Sequence, residues 1–398
     1  MSDQYDAIVA GHICLDIIPD LSGSTLEQFR RTFAPGKLLQ VGSAALGTGG
    51  PVSNVGLALH KLGIDVRLMG KVGDDTFGQI IRQIVASTDP HLADGMVTDA
   101  SVGSSYTIVV NPPGVDRYFL HSPGANDTFV ADDVRYDLLQ QARLFHFGYP
   151  PLMRRMFEDD GLELIEIFRR AKQTGVTTSL DMALPDPSAP AGRANWIAIL
   201  RATLPYVDIF LPSIEEILFM LRRETFDELE RSAGSHGIVS AITPQLLSDV
   251  SAELMDDGAK IVGLKLGNRG FYLRTAGEQR LASMGRGRPA DRSTWANREL
   301  WTSCFQADVV GTAGSGDATI AGFLTALLRD LPPEQAVTAA VAVGACNVEA
   351  ADTLSGIQPW DDTLRRVADG WPRYRMIMQT PGWRFDEANG LWQRIFEE

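Results

Sequence analysis

A short glycine-rich segment that ends in a carboxylate is the part of this sequence best suited to chemistry. It reads Gly314-Ser315-Gly316-Asp317 and runs directly into an apolar, alanine-rich stretch that is typical of a helix. Glycines let backbone N–H groups turn toward an anion, and a helix N-terminus adds the positive end of its dipole. Asp317 would stand beside this anion site, where a carboxylate can accept the proton of an attacking hydroxyl. The segment therefore predicts phosphoryl transfer, although Asp and Gly at a helix start also serve as a plain cap and turn.

A second glycine-rich segment lies far upstream of the first. It runs from Gly49 and Gly50 to Asn54 and opens an apolar helical pattern that closes at Gly63, a natural C′ glycine. The glycines would permit close approach of a ligand, and the Asn54 amide can both donate and accept hydrogen bonds. Helix entry alone would explain the same residue types. A further glycine-rich stretch follows at residues 70–78.

Other nucleotide and metal motifs are absent from the sequence. Its two Gly-Lys pairs, at residues 36–37 and 70–71, are not followed by Ser or Thr, which argues against a P-loop. The glycines at residues 47–50 lack the third glycine of a dinucleotide-binding fingerprint. The six histidines show no metal-binding spacing, so we interpret them as structural or surface residues.

Composition limits the classes of partner. The 398 residues carry a formal net charge of −14 with a pI near 4.9, so there is no basic surplus for binding nucleic acid. The cysteines Cys14, Cys304 and Cys346 show no CxxC spacing, which indicates a reducing compartment. The acidic N-terminus does not resemble a signal peptide, and no apolar run is long enough for a membrane span. We therefore expect a cytoplasmic protein with small-molecule partners and no membrane contact.

Strand and helix patterns alternate along most of the chain. Strands are predicted at residues 5–14, 66–72, 106–110, 117–120, 144–147, 177–181, 209–211 and 260–266. Helices are predicted at residues 51–63, 75–86, 162–173, 215–222 and 245–256. Repeated strand–helix units predict a parallel sheet with helices on both faces. Residues 281–305 lack periodicity and are interpreted as an insertion.

Together, the two glycine-rich segments resemble the two signatures of the PfkB (ribokinase-like) family of carbohydrate kinases. The first signature is a Gly-Gly pair, an Asn four residues on and a helix that closes in Leu-Gly; the second is the loop that ends at Asp317. The resemblance covers essentially the full length of the chain. It implies a single α/β kinase domain over residues 1–398, with a ribokinase-like, doubly wound, mostly parallel sheet and a small β lid. The lid would comprise approximately residues 17–46 and 101–122.

The resemblance also implies roles for the site residues. Asp317 would be the catalytic base, and the backbone N–H groups of Gly314, Ser315 and Gly316 would form an anion hole for the γ-phosphate. The residues implied to bind the sugar are Asp16, Gly49, Gly50, Asn54, Asn126 and Arg117. Asp16 follows the first strand, where a carboxylate suits vicinal hydroxyls, although a turn residue would also fit there. Arg117 lies in the lid hairpin, which could equally be an ordinary exposed hairpin.

A third group of residues would contact the nucleotide. The residues implied are Ser213, Lys265, Gly267 and Gly270. Glu216 would bind Mg²⁺, through water, although Ser213 and Glu216 would also serve as an ordinary helix cap. The family has Asn in place of Ser213 and Thr in place of Lys265. Gly311 stands where the family commonly has an Asp associated with a monovalent cation, so the requirement for K⁺ is left open.

We therefore expect an ATP- and Mg²⁺-dependent enzyme that phosphorylates a sugar hydroxyl. A homodimer that pairs through the exposed strand edge of the lid is consistent with this fold. Two alternatives stay open, namely a nucleoside kinase of the same fold and a non-catalytic ligand-binding protein on this scaffold. No motif identifies the sugar.

Overall fold

The computed structural model describes residues 5–115, 117–234 and 237–395. The strands are β1 (Tyr5–Gly11), β2 (Cys14–Ile18), β3 (Ala45–Gly49), β4 (Val66–Met69), β5 (Lys71–Gly73), β6 (Val97–Asp99), β7 (Tyr106–Val110), β8 (Tyr118–Ser122), β9 (Ala142–Gly148), β10 (Thr177–Leu180), β11 (Ile209–Phe210), β12 (Ile261–Lys265), β13 (Phe271–Thr275), β14 (Glu299–Thr302), β15 (Trp383–Asp386) and β16 (Leu391–Arg394). The α-helices are α1 (Leu26–Thr32), α2 (Pro51–Lys61), α3 (Thr76–Thr88), α4 (Tyr136–Leu139), α5 (Leu162–Gln173), α6 (Trp196–Thr203), α7 (Ile214–Leu221), α8 (Arg223–Ala233), α9 (Pro244–Asp256), α10 (Glu278–Ala282), α11 (Arg292–Trp295), α12 (Ser315–Leu328), α13 (Pro333–Asn347) and α14 (Trp360–Ala368).

One large sheet forms the centre of the molecule. Its order over the described residues is β15-β16-β14-β13-β12-β11-β10-β9-β1-β4. Six neighbouring strands, β12, β11, β10, β9, β1 and β4, are parallel to one another. The pairs β12–β13, β13–β14, β14–β16 and β16–β15 are antiparallel. Because parallel strands share their direction, their carboxyl ends meet at one edge of the sheet, where ligands bind in open α/β folds.

Successive residues of the central strands face opposite helical layers. In β1, Ala7 and Val9 belong to a core cluster that includes residues of α2, α12 and α13, whereas Ile8 and Ala10 belong to one that includes residues of α5, α6 and α9. Strands buried on both faces are nearly continuously apolar, as this one is. The doubly wound, mostly parallel sheet implied by the sequence is confirmed.

A second sheet covers one end of the first. Its order is β3-β2-β7-β8, with β2 parallel to β7 and the other pairs antiparallel. It draws on residues 14–18, 45–49, 106–110 and 118–122, and we call it the lid sheet. Within it, Asp16 is opposite Thr107, and Thr107 is opposite His121. Since side chains of paired positions share a face, these three side chains lie on one side of the lid sheet.

The stretch at residues 281–305 is integrated into the main sheet. It contributes α11 and β14, and β14 pairs with β13 on one side and β16 on the other. Upstream of β14, the Arg286 guanidinium donates to the carbonyls of Leu139, Ala142 and Thr174 at 2.6–2.8 Å. Sequence periodicity does not reveal this arrangement, because the segment is held by one arginine and by pairing of β14 with a strand about ninety residues away.

Helices α12 and α13 pack closely against each other and carry part of the site. A Cβ on Gly322 of α12 would lie 2.7 Å from the carbonyl of Ala339 on α13, so the two backbones approach too closely for a larger residue. This contact fixes α12, whose first turn contains Asp317. Among the described residues, no helix combines the length and the apolar composition that crossing a bilayer requires.

Candidate active site

Asp317 lies in the first turn of α12 and is 3% exposed. The helix is preceded by Gly314, whose φ of 71° is in the left-handed region, and a Cβ there would contact Thr353 at 2.8 Å. Gly314 therefore permits the sharp turn by which the chain enters α12 and leaves the free N–H groups of its first turn uncovered. The structure brings the anion-binding backbone and the carboxylate together, as the sequence predicts.

The Asp317 carboxylate is held by two polar side chains. Asn54 Nδ2 donates to Oδ2 at 2.9 Å, and the Tyr149 hydroxyl donates to Oδ1 at 3.0 Å and to Oδ2 at 3.1 Å. Asn54 is on α2, which has Gly50 as its N-cap and begins at Pro51. The sequence analysis predicts that Asn54 binds the sugar, and in the structure its amide nitrogen contacts the Asp317 carboxylate. Asn54 Oδ1 is buried and has no protein partner among the described residues.

Tyr149 is a site residue that sequence reasoning missed. It directly follows β9 and has φ 62° and ψ 45°, a left-handed conformation that is uncommon for a residue with a bulky side chain. Such strain is typical of functional sites. A usable signal was its position after a predicted parallel strand, since side chains at these strand ends converge at the ligand-binding edge.

Burial raises the pKa of Asp317, while Lys265 and the hydrogen bonds from Asn54 and Tyr149 lower it in part. Burial also raises the pKa of Tyr149, helped by the negative charge of Asp317, so the phenol remains a donor. A base with an elevated pKa accepts a proton more readily than a free aspartate. The arrangement is therefore suited to deprotonating a hydroxyl near neutral pH.

Lys265, at the end of β12, connects the anion site to two further carboxylates. Its Nζ lies 2.5 Å from Asp181 Oδ1, and its side chain passes 3.6–3.9 Å from where a Cβ on Gly316 would be. Burial lowers the pKa of Lys265, but Asp181 and Glu216 outweigh that effect and raise it. Asp181, which the sequence analysis also missed, has its pKa raised by burial. A fixed ammonium group thus lies beside the glycine-rich turn.

Ser213 and Glu216 cap the N-terminus of α7. Ser213 Oγ accepts from the Glu216 N–H at 3.3 Å, and Glu216 Oε2 accepts from the Ser213 N–H at 2.7 Å. The second carboxylate oxygen of Glu216 is not used in this cap, and Asp181 Oδ2 is buried without a partner in the described part of the chain. Oxygen donors with net negative charge suit a hard cation such as Mg²⁺. These residues fit a magnesium site, and Ser213 and Glu216 also cap α7.

A mostly apolar cavity of about 290 Å³ opens beside the glycine-rich turn. It is lined by Lys265, Gly267, Gly270, Cys304, Phe305, Ser315, Gly316, Val341, Gly344, Ala345 and Tyr374, among others. Gly270 has φ 92°, and a Cβ there would collide with the carbonyl of Thr302, so only glycine fits. The cavity thus combines an apolar wall with backbone N–H groups and one ammonium group, and it contains three of the four nucleotide-binding residues predicted from the sequence. The fourth, Ser213, bridges to Lys265 through the backbone.

Three of the residues predicted to bind the sugar lie together, in β2, in β3 and just before α2. Asp16 is half-buried at the lid sheet, and a Cβ on Gly49 would lie 2.5 Å from its Oδ2. Burial raises the pKa of Asp16. Gly50 lies against His12 in the same way, and burial lowers the pKa of His12 to about 3, helped by His121. Asp16, Gly49 and Gly50 therefore share one wall.

Two of the predicted sugar-binding residues have other contacts. Asn126 is fully buried, and its amide accepts from the Ile13 N–H at 3.2 Å and donates to the Ile13 carbonyl at 2.9 Å. Its contacts in the structure thus fix the turn between β1 and β2. Arg117 precedes β8, and its guanidinium lies 5.7 Å from the centre of the Phe119 ring. Gly311 has no carboxylate, and its N–H donates to the carbonyl of Val348 at 3.2 Å.

Comparison with known proteins identifies the family of the chain. The family model described as pfkB family carbohydrate kinase matches residues 7–360. Fructokinase-2 of Oryza sativa subsp. japonica is 26% identical over 223 residues, which are 55% of this chain and 60% of the rice protein. Probable fructokinase-6, chloroplastic, of Arabidopsis thaliana is 25% identical over 327 residues, 81% of this chain and 70% of that protein. The match thus spans less than two thirds of the rice protein.

Solved structures show the same fold. Arabidopsis thaliana ribokinase complexed with ribose and ATP has a TM-score of 0.65 at 18% identity, covering 91% of this chain and 98% of that one. Fructokinase with bound ATP from Xylella fastidiosa has a TM-score of 0.64 at 18% identity, with the same coverage. A putative ribokinase II from E. coli in complex with ATP and Mg²⁺ reaches 0.66, covering 92% and 99%. With the family match extending over most of its length, the chain belongs to the pfkB family of carbohydrate kinases.

Proposed function

We propose that this chain transfers the γ-phosphoryl group of ATP to a hydroxyl of a sugar, with Asp317 as the general base. The single observation that carries the proposal is the position of Asp317. It lies in the first turn of α12, beside the glycine-rich turn, and its carboxylate is fixed by Asn54 and Tyr149. A carboxylate held at the N-terminus of a helix can meet a hydroxyl and a phosphate at once.

The base works in its deprotonated form. Two donated hydrogen bonds orient Asp317 and partly offset the cost of burying its charge. The sugar hydroxyl would donate its proton to the carboxylate while its oxygen attacks the γ-phosphorus. Backbone N–H groups of Gly314, Ser315 and Gly316 would stabilise the charge on the transferring group. Because the Asp317 carboxylate is buried, few water molecules reach it, which limits transfer of the phosphoryl group to water.

The nucleotide would bind in the cavity that contains Gly267 and Gly270. Its apolar wall suits an adenine ring, and its polar end at Ser315 and Gly316 suits the phosphates. Lys265 is already positioned there by Asp181 and would contact the γ-phosphate. The structures of related folds with bound ATP support this assignment.

Magnesium would be held on the acidic side of the same cavity. Glu216 is the carboxylate that we assign to it, through water, with Asp181 behind it. When bound, Mg²⁺ would neutralise phosphate charge. The remaining work of holding and orienting the triphosphate falls to Lys265 and the backbone of α12.

The sugar would lie between Asp317 and the lid sheet. Asp16, Gly49 and Gly50 form the wall opposite the nucleotide, and the carboxylate can accept hydrogen bonds from two hydroxyls. Asn54 Oδ1, buried and without a protein partner, is available to accept another. Asn126 would support this wall through Ile13, and Arg117 would contact the sugar from the lid. Fructose is the first sugar to test because the curated relatives quoted above are fructokinases.

The lid sheet also supports the proposal of a homodimer. Its edge strand β8 carries Tyr118, Phe119 and Leu120, each more than half exposed. An apolar edge strand invites pairing with a second copy. We expect a dimer in analytical ultracentrifugation, and Leu120→Lys to shift it toward monomer. A monomeric wild-type chain at micromolar concentration would contradict the dimer.

The test of the function is an ADP-release assay on a panel of acceptors. Fructose, ribose, 2-keto-3-deoxygluconate, adenosine and other nucleosides are offered with ATP and Mg²⁺, and the phosphorylated product is identified by mass spectrometry. We expect sugar-dependent ADP release with at least one of the sugars. Turnover of a nucleoside alone, or ATP binding without ADP release on any acceptor, would overturn the proposal.

A further inference from the structure

Beside the sugar wall, two histidines and a cysteine converge from separate elements. His12 follows β1, Cys14 begins β2, and His121 is in β8 of the lid sheet. One ring nitrogen of each histidine and the sulfur of Cys14 all lie within 4.8 Å of one another. No spacing in the sequence announces this group because the register of the lid sheet, and not chain proximity, brings His121 to the other two.

The contact between the two histidines is a poor hydrogen bond. The Nε2 atoms of His12 and His121 are 3.4 Å apart, beyond the usual range for N–H donors. Two nitrogens bound at about 2.0–2.1 Å to one tetrahedral Zn²⁺ are themselves separated by about 3.4 Å. The spacing therefore fits two ligands of one ion better than a donor and an acceptor.

Surrounding contacts complete a coordination sphere. The Thr107 hydroxyl lies 3.0 Å from His121 Nδ1, the type of outer contact that fixes the ring of a ligating histidine. Asp16 Oδ1 lies 3.4 Å from Cys14 Sγ but outside this group of three, so its side chain would have to rotate toward the histidines to supply a fourth ligand. His12 is 3% exposed, and its Nδ1 has no partner among the described residues. Since an N–S separation in such a site is about 3.6 Å, against the limit of 4.8 Å found here, each N–S distance would have to shorten by at most about 1.2 Å.

We propose that His12, Cys14 and His121 form a binding site for a borderline-soft transition metal such as Zn²⁺, with Asp16 as its fourth ligand. Two neutral imidazoles, one thiolate and one carboxylate carry a charge of −2, which balances a divalent ion. Thiolate and imidazole ligands select zinc over Mg²⁺, which prefers oxygen. The site is therefore chemically distinct from the magnesium site at the phosphates.

The position of the site gives it a consequence for the enzyme. Asp16 cannot bind a metal and a sugar in the same way at once, so Zn²⁺ would exclude the sugar; this step rests on the proposed function. Zn²⁺ bound to both His12 and His121 would also tie the end of β1 to the lid sheet. We expect Zn²⁺ inhibition that is competitive with the sugar and not with ATP. Inhibition competitive with ATP would contradict this consequence.

Metal binding itself is tested without reference to activity. The full chain, freed of metal with a chelator, is titrated with Co²⁺, and the thiolate-to-cobalt charge-transfer band is recorded. We expect the band to saturate at one equivalent and to be displaced by Zn²⁺. Cys14→Ser should abolish the band, and Thr107→Val should weaken Co²⁺ binding about 10-fold or more. His121→Ala, at an exposed position, should weaken it at least as much.

Matched controls are His91→Ala, an exposed histidine elsewhere, and Cys304→Ser. Both should retain the band, and thermal unfolding checks that each variant is folded. A wild-type chain without the band, a band that survives Cys14→Ser, or Co²⁺ affinity unchanged in His121→Ala would overturn the site. A band on a chain that phosphorylates no sugar would support the metal site and count against the proposed kinase, so the two failures are distinguishable.

Discussion

The Tyr149 hydroxyl donates to both carboxylate oxygens of Asp317, at 3.0 and 3.1 Å. This bond joins the end of a central strand to the first turn of α12. It stabilises the charged form of the carboxylate and lowers a pKa that burial raises. Under the proposed function, Tyr149 would thus be a positioning residue for the base.

Tyr149→Phe should shift the acid limb of the pH profile. Without the phenol donor the pKa of Asp317 rises further, and because the base acts deprotonated, kcat/KM should fall at a higher pH than in the wild type. A hydrogen bond to a charged group corresponds to a shift of about one pH unit. Activity well above that limb should change little. Tyr206→Phe is the control, and a limb that stays in place would contradict the role of Tyr149.

Lys265→Met should reduce both stability and turnover. It leaves Asp181 as an unpaired buried charge, which costs about 3–5 kcal/mol, and it removes a cation from the phosphate site, which costs about 10²–10³ in kcat. The double variant Lys265→Met, Asp181→Asn should recover stability in urea unfolding but not activity. If the double variant recovers both, Lys265 serves only to neutralise Asp181.

Ala345→Leu should affect the nucleotide and leave the sugar alone. Ala345 lines the cavity proposed for the nucleotide, and added side-chain volume there should raise the KM for ATP by about 10-fold. The dissociation constant of the sugar, measured by calorimetry, should be unchanged. Gln335→Leu, on the exposed side of α13, is the matched control. An increase in the sugar constant alone would place the nucleotide elsewhere.

Asp208→Ala should destabilise the fold without touching the chemistry. The fully buried Asp208 carboxylate accepts from Lys172 at 2.7 Å and from Lys260 at 3.0 Å. It precedes β11 and so lies at the amino end of the strands, away from the site. Removing it should cost about 3–5 kcal/mol, against less than about 1 kcal/mol for the exposed Asp227→Ala. Equal losses of unfolding free energy in the two variants would contradict this structural role of Asp208.

The sequence predicts the parallel half of the sheet well because its signals are local. Helix α5 occupies the predicted residues 162–173, and β10 covers residues 177–180 of the predicted 177–181. Strands β13 to β16 were not predicted. β14 pairs with β16, a distant part of the chain, whereas β13 pairs with the preceding β12 and β15 with the following β16, in hairpins that the sequence patterns did not reveal. The hairpin of β15 and β16 closes the sheet from residues that carry no site motif.

The residues of the candidate site also fall into two classes, those that belong to a sequence motif and those that do not. Asp317, Asn54 and Lys265 could be found because they belong to motifs; in the structure Asn54 contacts Asp317, and the charge of Lys265 lowers the Asp317 pKa in part. Tyr149 and Asp181 could not, because each is a single residue after a strand, and only the shared direction of β9 and β10 brings them to the base and to Lys265. Asn126, predicted to bind the sugar, is buried in the structure and hydrogen-bonds Ile13, so its role at the sugar stays a prediction.

The most direct test of the account is Asp317→Asn, assayed for phosphorylated sugar with the acceptor that the wild type uses. Asn keeps the size and much of the hydrogen bonding of Asp but cannot take the proton. We predict a loss of kcat of at least about 10²-fold, with sugar and ATP binding retained in calorimetry. Undiminished turnover in a correctly folded Asp317→Asn chain would contradict the assignment of the base.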